Sequence, residues 1–111
     1  MKVQVQIISD DATEIINIED VTDINNFSYV DSYGANNKMH IFTNGIELTR
    51  ISSTHKTNLV LRNDLEAYIN IETDEGILKF DVKMLAFERN NDIITLVYSV
   101  NEDKRSLIIK Y

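Results

Sequence analysis

Apolar and polar side chains alternate from one end of this 111-residue chain to the other, and turn-forming residues interrupt the pattern at regular intervals. Alternation with a period of two is the mark of strands with one face buried and one face wet. Val3, Val5 and Ile7 share a face, opposite Lys2, Gln4 and Gln6. Asp10-Asp11 turns the chain, and residues 14–18 resume an extended run. Phe27, Tyr29 and Asp31 lie on one face of the next segment. Asn36-Asn37 precedes a run over 38–43, Asn44-Gly45 follows, and Ile46, Leu48 and Arg50 share a face of the returning strand. Asn-Gly is a strong hairpin signal, because both residues tolerate the positive φ of a type I′ turn. After a loop at 52–56 come a short apolar strand at 59–61 and the alternation of Ala67, Ile69, Ile71 and Thr73. Asp74-Glu75-Gly76 leads into Leu78, Phe80, Val82, Met84 and Ala86 on one face. That segment is longer than an average strand and is expected to bend midway. Ile94, Leu96, Tyr98 and Val100, then Leu107, Ile109 and Tyr111, complete the series.

Nine or ten strands with turns about every 8–12 residues predict an all-β domain occupying 1–111. The architecture expected is a single antiparallel β-barrel of eight to ten strands, lined by Leu78, Phe80, Val82, Met84, Ile94, Leu96 and Tyr98. A two-sheet β-sandwich is the alternative that the same turn spacing allows. Ala, the best helix former, occurs only at Ala12, Ala35, Ala67 and Ala86. Residues 19–25 form the one stretch where a short helix could sit.

Charge and composition exclude several function classes. The net charge is −7, so phosphate neutralisation on nucleic acid and adhesion to an anionic membrane are both disfavoured. No cysteine is present, which removes disulfides, thiol nucleophiles and thiolate metal sites. The alternating start lacks a signal-peptide core, and no apolar run approaches the roughly 20 residues of a spanning helix. A cytoplasmic location is expected.

From Phe27 onward the order of residues resembles the YwiB-like proteins, a bacterial family of unknown function. The elements that carry the resemblance are Tyr29-Val30-Asp31, the strand bearing Arg50, the apolar stretch of Leu59 and Leu61, Thr73-x-x-Gly76 with Leu78, and Tyr98-Ser99-Val100. Ser52-Ser53 stands where that family has a glycine after the arginine, and Lys83 stands in place of a threonine. The resemblance implies a calycin-like, lipocalin-type β-barrel. Calycin-like barrels are containers for small apolar ligands, and a step from barrel to ligand is an analogy of fold.

Two charged residues break the inward alternation. Arg50 shares the face of Ile46 and Leu48, and Asp31 shares that of Phe27 and Tyr29. A guanidinium stays protonated, so its burial demands carboxylate or hydrogen-bond partners. An inward Arg50–Asp31 pair, capped by Tyr29 or Tyr98, satisfies both. These four residues form the candidate ligand site. The other reading of the pair is structural, or an arginine that reaches water at the rim. His40 and His55 lack metal-ligand spacing, and no Gly-x-Ser-x-Gly elbow is present, so no catalytic or metal-binding residue and no cofactor is assigned. A pairing of Ser52 or Ser53 with His55 is conceivable only between near neighbours. The acidic groups near Asp10, Glu19 and Asp74 lack calcium-loop spacing. Tyr68, on a polar face with Glu66, Asn70 and Glu72, marks either a contact surface or a cross-strand cover.

The function expected is non-enzymatic binding of a small apolar or anionic molecule in a partly apolar lumen. The alternative is a filled barrel that works through its surface as an interaction module for a protein partner. An enzyme is the weakest of the three readings.

Overall fold

A computed structural model describes all 111 residues. It contains ten strands and no helix: β1 (Val3–Ile8), β2 (Thr13–Ile18), β3 (Asn26–Val30), β4 (Asn36–Phe42), β5 (Gly45–Ile51), β6 (Lys56–Arg62), β7 (Tyr68–Thr73), β8 (Gly76–Arg89), β9 (Ile93–Val100) and β10 (Asp103–Lys110). All neighbours are antiparallel and run in the order β2-β1-β10-β9-β8-β7-β6-β5-β4-β3. β3 to β10 form an eight-strand meander, and the β1–β2 hairpin adds to its far end through β10. The sheet curls until β2 and β3 face each other without ladder pairing, so the barrel is nearly closed and carries one seam. The turns that follow β1, β3, β5, β7 and β9 all lie at one end, here called the mouth, because alternate strands run in opposite directions.

β8 is the hinge between two halves of the sheet. Its first half, to Asp81, pairs with β7, and its second half, from Val82, pairs with β9. A register shift between Met84 and Ala86 supplies the expected bend. An extra residue in one strand flips the faces that follow. Phe87 therefore takes the inner position opposite Leu96, and Ala86 turns outward.

Inside the barrel, 18 buried apolar residues form one continuous cluster that includes Val5, Met39, Ile46, Leu61, Ile94, Leu96 and Ile109. Phe80, Val82 and Met84 pack against it half-buried, and Tyr98 is part of it. Leu78 does not line the core. It pairs with Ile71 near the end of the β7–β8 hairpin, beyond the last buried row, and is 59% exposed.

Two local expectations are revised, and for Tyr68 one of two alternatives holds. Residues 19–25 are not helical; Asp23 ties the chain into a turn by accepting from the backbone N–H of Asn25 and Asn26. The hairpin at Asn44-Gly45 is not type I′. Thr43 and Asn44 make the turn without positive φ, and Gly45 opens β5 opposite Phe42. Glycine is needed there because a Cβ would lie 1.8 Å from the Leu61 carbonyl oxygen. Two consecutive positive-φ residues instead stand at Asn101 and Glu102, between β9 and β10. Tyr68 is a cross-strand cover: it pairs with Val60, which is 6% exposed on the outer face, and its ring sits 5.3 Å from Lys79 Nζ.

Candidate functional site

The register carries one inward row across six strands at the mouth: Tyr29, Asn37, Arg50, Thr57, Ile71 and Leu78. Across the barrel, Arg105 pairs with Tyr98. The apolar cluster lies deeper, so polar inward residues collect at the mouth, where their charges can reach water.

Asp31 organises this end. It follows β3 and accepts four hydrogen bonds. Its Oδ1 receives the backbone N–H of Tyr33 and Ala35, each at 3.0 Å. Its Oδ2 receives Asn37 Nδ2 at 3.0 Å and Arg50 Nε at 2.7 Å. The Asp31 side chain is 7% exposed and that of Arg50 is 27% exposed. Burial alone would raise the Asp31 pKa; the hydrogen bonds from Arg50, Asn37, Ala35 and Tyr33 outweigh it and hold the carboxyl at about 2. The pairing with Arg50 predicted from alternation is therefore present.

Arg50 is held by its Nε alone, and its two terminal nitrogens hydrogen-bond to no group of the chain. Arg50 lines a cleft of about 420 Å³ together with Ile7, Glu14, Ile16, Leu48, Tyr29 and Asp31, among others. This cleft spans the seam between β2 and β3. Glu14 bridges it: Glu14 Oε1 accepts from Ser32 Oγ at 2.7 Å and from Ser32 N–H at 3.2 Å. A second groove, about 480 Å³ on the outer face of β3 to β5, contains Val30, Lys38 and Ile51 and no buried charge.

Tyr29 borders the seam cleft, and its hydroxyl is buried without a hydrogen-bond partner. Burial first, then the carboxylates of Asp31 and Glu14, push its phenol well above the ordinary value; Arg50 offsets part of this. Tyr29 therefore keeps its proton at neutral pH and offers an unused donor. Tyr98 does not line the seam cleft, and its phenol lies near enough to Tyr29 to add to the upward push on that hydroxyl. It is buried, and its phenol is raised by burial and pulled back by Arg105 beside it.

The serine–histidine pairing does not form. Ser52 Oγ bonds to the backbone of His55, while the His55 ring Nδ1 lies 2.9 Å from Thr54 Oγ1. His40 is on the outer face beside Phe42. No group of three or more His, Cys, Asp or Glu side chains is placed to hold a metal ion.

Three residues of the mouth were missed by the sequence reading: Asn37, Glu14 and Arg105. The signal for two of them was present. Asn37 alternates with Met39 and Ile41, and Arg105 alternates with Leu107 and Ile109, by the same rule that singled out Arg50. Glu14 alternates with Ile16 and Ile18, but its bond to Ser32 depends on the closure of the seam.

No family model and no curated protein matches the chain. Among solved structures, the chain is similar to the YwiB protein from Bacillus subtilis, at 12% identity and a TM-score of 0.41, with 97% of this chain and 85% of that one covered. A likeness at that level says nothing about the site.

Proposed function

We propose that the protein is a non-enzymatic binding module that holds a small anionic, partly apolar molecule in the cleft at its mouth. The observation that carries this reading is the arrangement around Arg50. Asp31 fixes the guanidinium by its Nε and leaves its two terminal nitrogens without a partner, and Arg50 lines the cleft together with Tyr29, whose buried hydroxyl has no partner either. A fixed donor fork and a buried unused donor suit a carboxylate or similar oxyanion. Ile7, Ile16 and Leu48 supply an apolar floor. The cleft has the size range of small-molecule sites. The apolar cluster occupies the deeper interior, so the reading places the ligand at the mouth and not along a hollow lumen.

The resemblance of the chain from Tyr29-Val30-Asp31 to Tyr98-Ser99-Val100 supports taking it as a YwiB-like, calycin-like protein of the bacterial cytoplasm. A protein partner is the second reading. Exposed Val30, Ile51 and Ile77 on the outer face, and the unpaired edges of β2 and β3, favour it.

Native mass spectrometry of freshly purified protein, referenced to the denatured mass, tests the first reading. The expected result is a stoichiometric adduct that an Arg50→Gln, Asp31→Asn double variant fails to retain. That variant removes both charges together and avoids leaving one unpaired. An adduct retained equally by the folded double variant would sink the proposal.

A further inference from the structure

We propose that the outer face of β3 to β8 is a second binding site, separate from the mouth, and that it takes an acidic saccharide: a chain of sugar hydroxyls that also carries carboxylates.

The register lines up one outward row across six strands: Ser28, Lys38, Thr49, Asn58, Asn70 and Lys79. Every member is polar and none is a carboxylate. Ser28, Thr49, Asn58 and Asn70 each carry both a donor and an acceptor, as a sugar hydroxyl does. Most of this capacity is unspent. Within the row, Thr49 Oγ1 donates to Asn58 Oδ1 at 3.2 Å, which orients the Asn58 amide and leaves its Nδ2 without a partner. Asn70 Oδ1 is covered and has no partner either. The terminal torsion of an asparagine is soft, and a sugar hydroxyl is the donor that this oxygen lacks.

At its β3 end the row enters the groove of about 480 Å³, whose lining includes Ser28, Asn36, Lys38 and Thr49. Val30 and Ile51, both exposed, give the same groove aliphatic surface for the C–H face of a sugar ring.

Charge selects an acidic chain. The protein as a whole carries −7. Yet on the outward positions from β3 to the first half of β8, four cations (Lys38, Lys56, Arg62 and Lys79) outnumber three carboxylates (Glu47, Glu72 and Asp81). Glu47 is already held by Arg62 at 3.6 Å. A face that serves solubility alone would share the acidic excess of the rest of the chain. Lys38 and Lys79 are exposed and take part in no ion pair. They stand four strand spacings apart, about 19 Å at about 4.8 Å per strand. A chain of sugars therefore meets both lysines, whereas a single sugar meets one.

The test is a titration of the whole protein, followed by ¹H–¹⁵N NMR, with three probes: trigalacturonate, the neutral trisaccharide maltotriose, and tricarballylate, which has three carboxylates and no sugar ring. Trigalacturonate is expected to bind about tenfold or more tightly than either of the others, and to shift the side-chain amide signals of Asn36, Asn58 and Asn70. Lys38→Gln combined with Lys79→Gln should bring it down to the maltotriose level. Asn58→Ala should weaken both saccharides. The Arg50→Gln, Asp31→Asn double variant should bind trigalacturonate as the wild type does, since the mouth lies on the other side of the sheet. Tricarballylate or maltotriose binding as tightly as trigalacturonate overturns the inference, because charge alone or hydroxyls alone would then suffice. Binding lost in the folded Arg50 and Asp31 double variant overturns it too, and assigns the saccharide to the mouth. So does unchanged trigalacturonate affinity in a Lys38→Gln, Asn58→Ala protein whose amide spectrum is intact. Failure of all three probes to shift any signal removes the outer site and leaves the reading of the mouth to its own test.

Discussion

Replacing Asp31 by Asn should change how the protein responds to acid as well as how stable it is. Asp31 Oδ2 accepts from two donors, Arg50 Nε and Asn37 Nδ2, and Oδ1 accepts from two backbone N–H groups. In Asp31→Asn one oxygen becomes an NH₂, so two donors on that side face a third, and the half-buried Arg50 loses its counter-charge. The carboxyl is lowered from 3.8 to about 2 in the folded chain. Since one pKa unit corresponds to about 1.4 kcal/mol, the lowering stands for about 2–3 kcal/mol before screening. The Arg50 side chain of the pair is 27% exposed and solvent screens it, so about 1–2 kcal/mol is the expected linked stability. The sign follows from the depressed value. At neutral pH the carboxyl is ionised in both states and the contribution is complete. As pH falls below the unfolded value near 4, the unfolded chain takes up the proton first, and the contribution is gone by about pH 2. Urea unfolding from pH 7 to 2.5, run on wild type and Asp31→Asn, isolates this residue from the other acids. The wild-type advantage should be about 2 kcal/mol or more at pH 7, because the lost hydrogen bonds add to the charge effect, and it should shrink between pH 4 and 2.5. Two curves that stay parallel across that range would refute the reasoning.

Gly45→Ala should be severely destabilising, by about 3 kcal/mol or more, because the new Cβ overlaps the β6 backbone at Leu61; a circular-dichroism melt within a few degrees of wild type would contradict the close approach. Tyr29→Phe should leave the ligand-free protein equally stable or up to about 1 kcal/mol more stable, since it removes a buried hydroxyl that has no partner. The same variant should retain less of the adduct seen by native mass spectrometry, and a loss of stability without a loss of binding would mean that the hydroxyl is satisfied by something else.

Alternation along single strands was enough to locate nearly every element and most of the core, because a barrel strand has one wet and one dry face. It also placed Arg50 and Asp31 on inward positions, where a pair between them satisfies both. What alternation does not carry is the phase after a bulge, which is why Ala86 was expected where Phe87 stands. Nor does it carry strand order. That the β1–β2 hairpin docks on β10, and that the seam therefore opens between two strands consecutive in sequence, follows from long-range pairing. Leu78 was misplaced because its strand face is inward while its height is above the last packed row. Face is a local property, and depth is set by the neighbours' register.

Asp31 does three things at once: it caps the turn after β3, fixes Asn37, and orients Arg50. Any change there alters turn, pair and cleft together, so a loss of binding on changing Asp31 is read only in a variant whose fold has been verified, as in the double variant with Arg50→Gln.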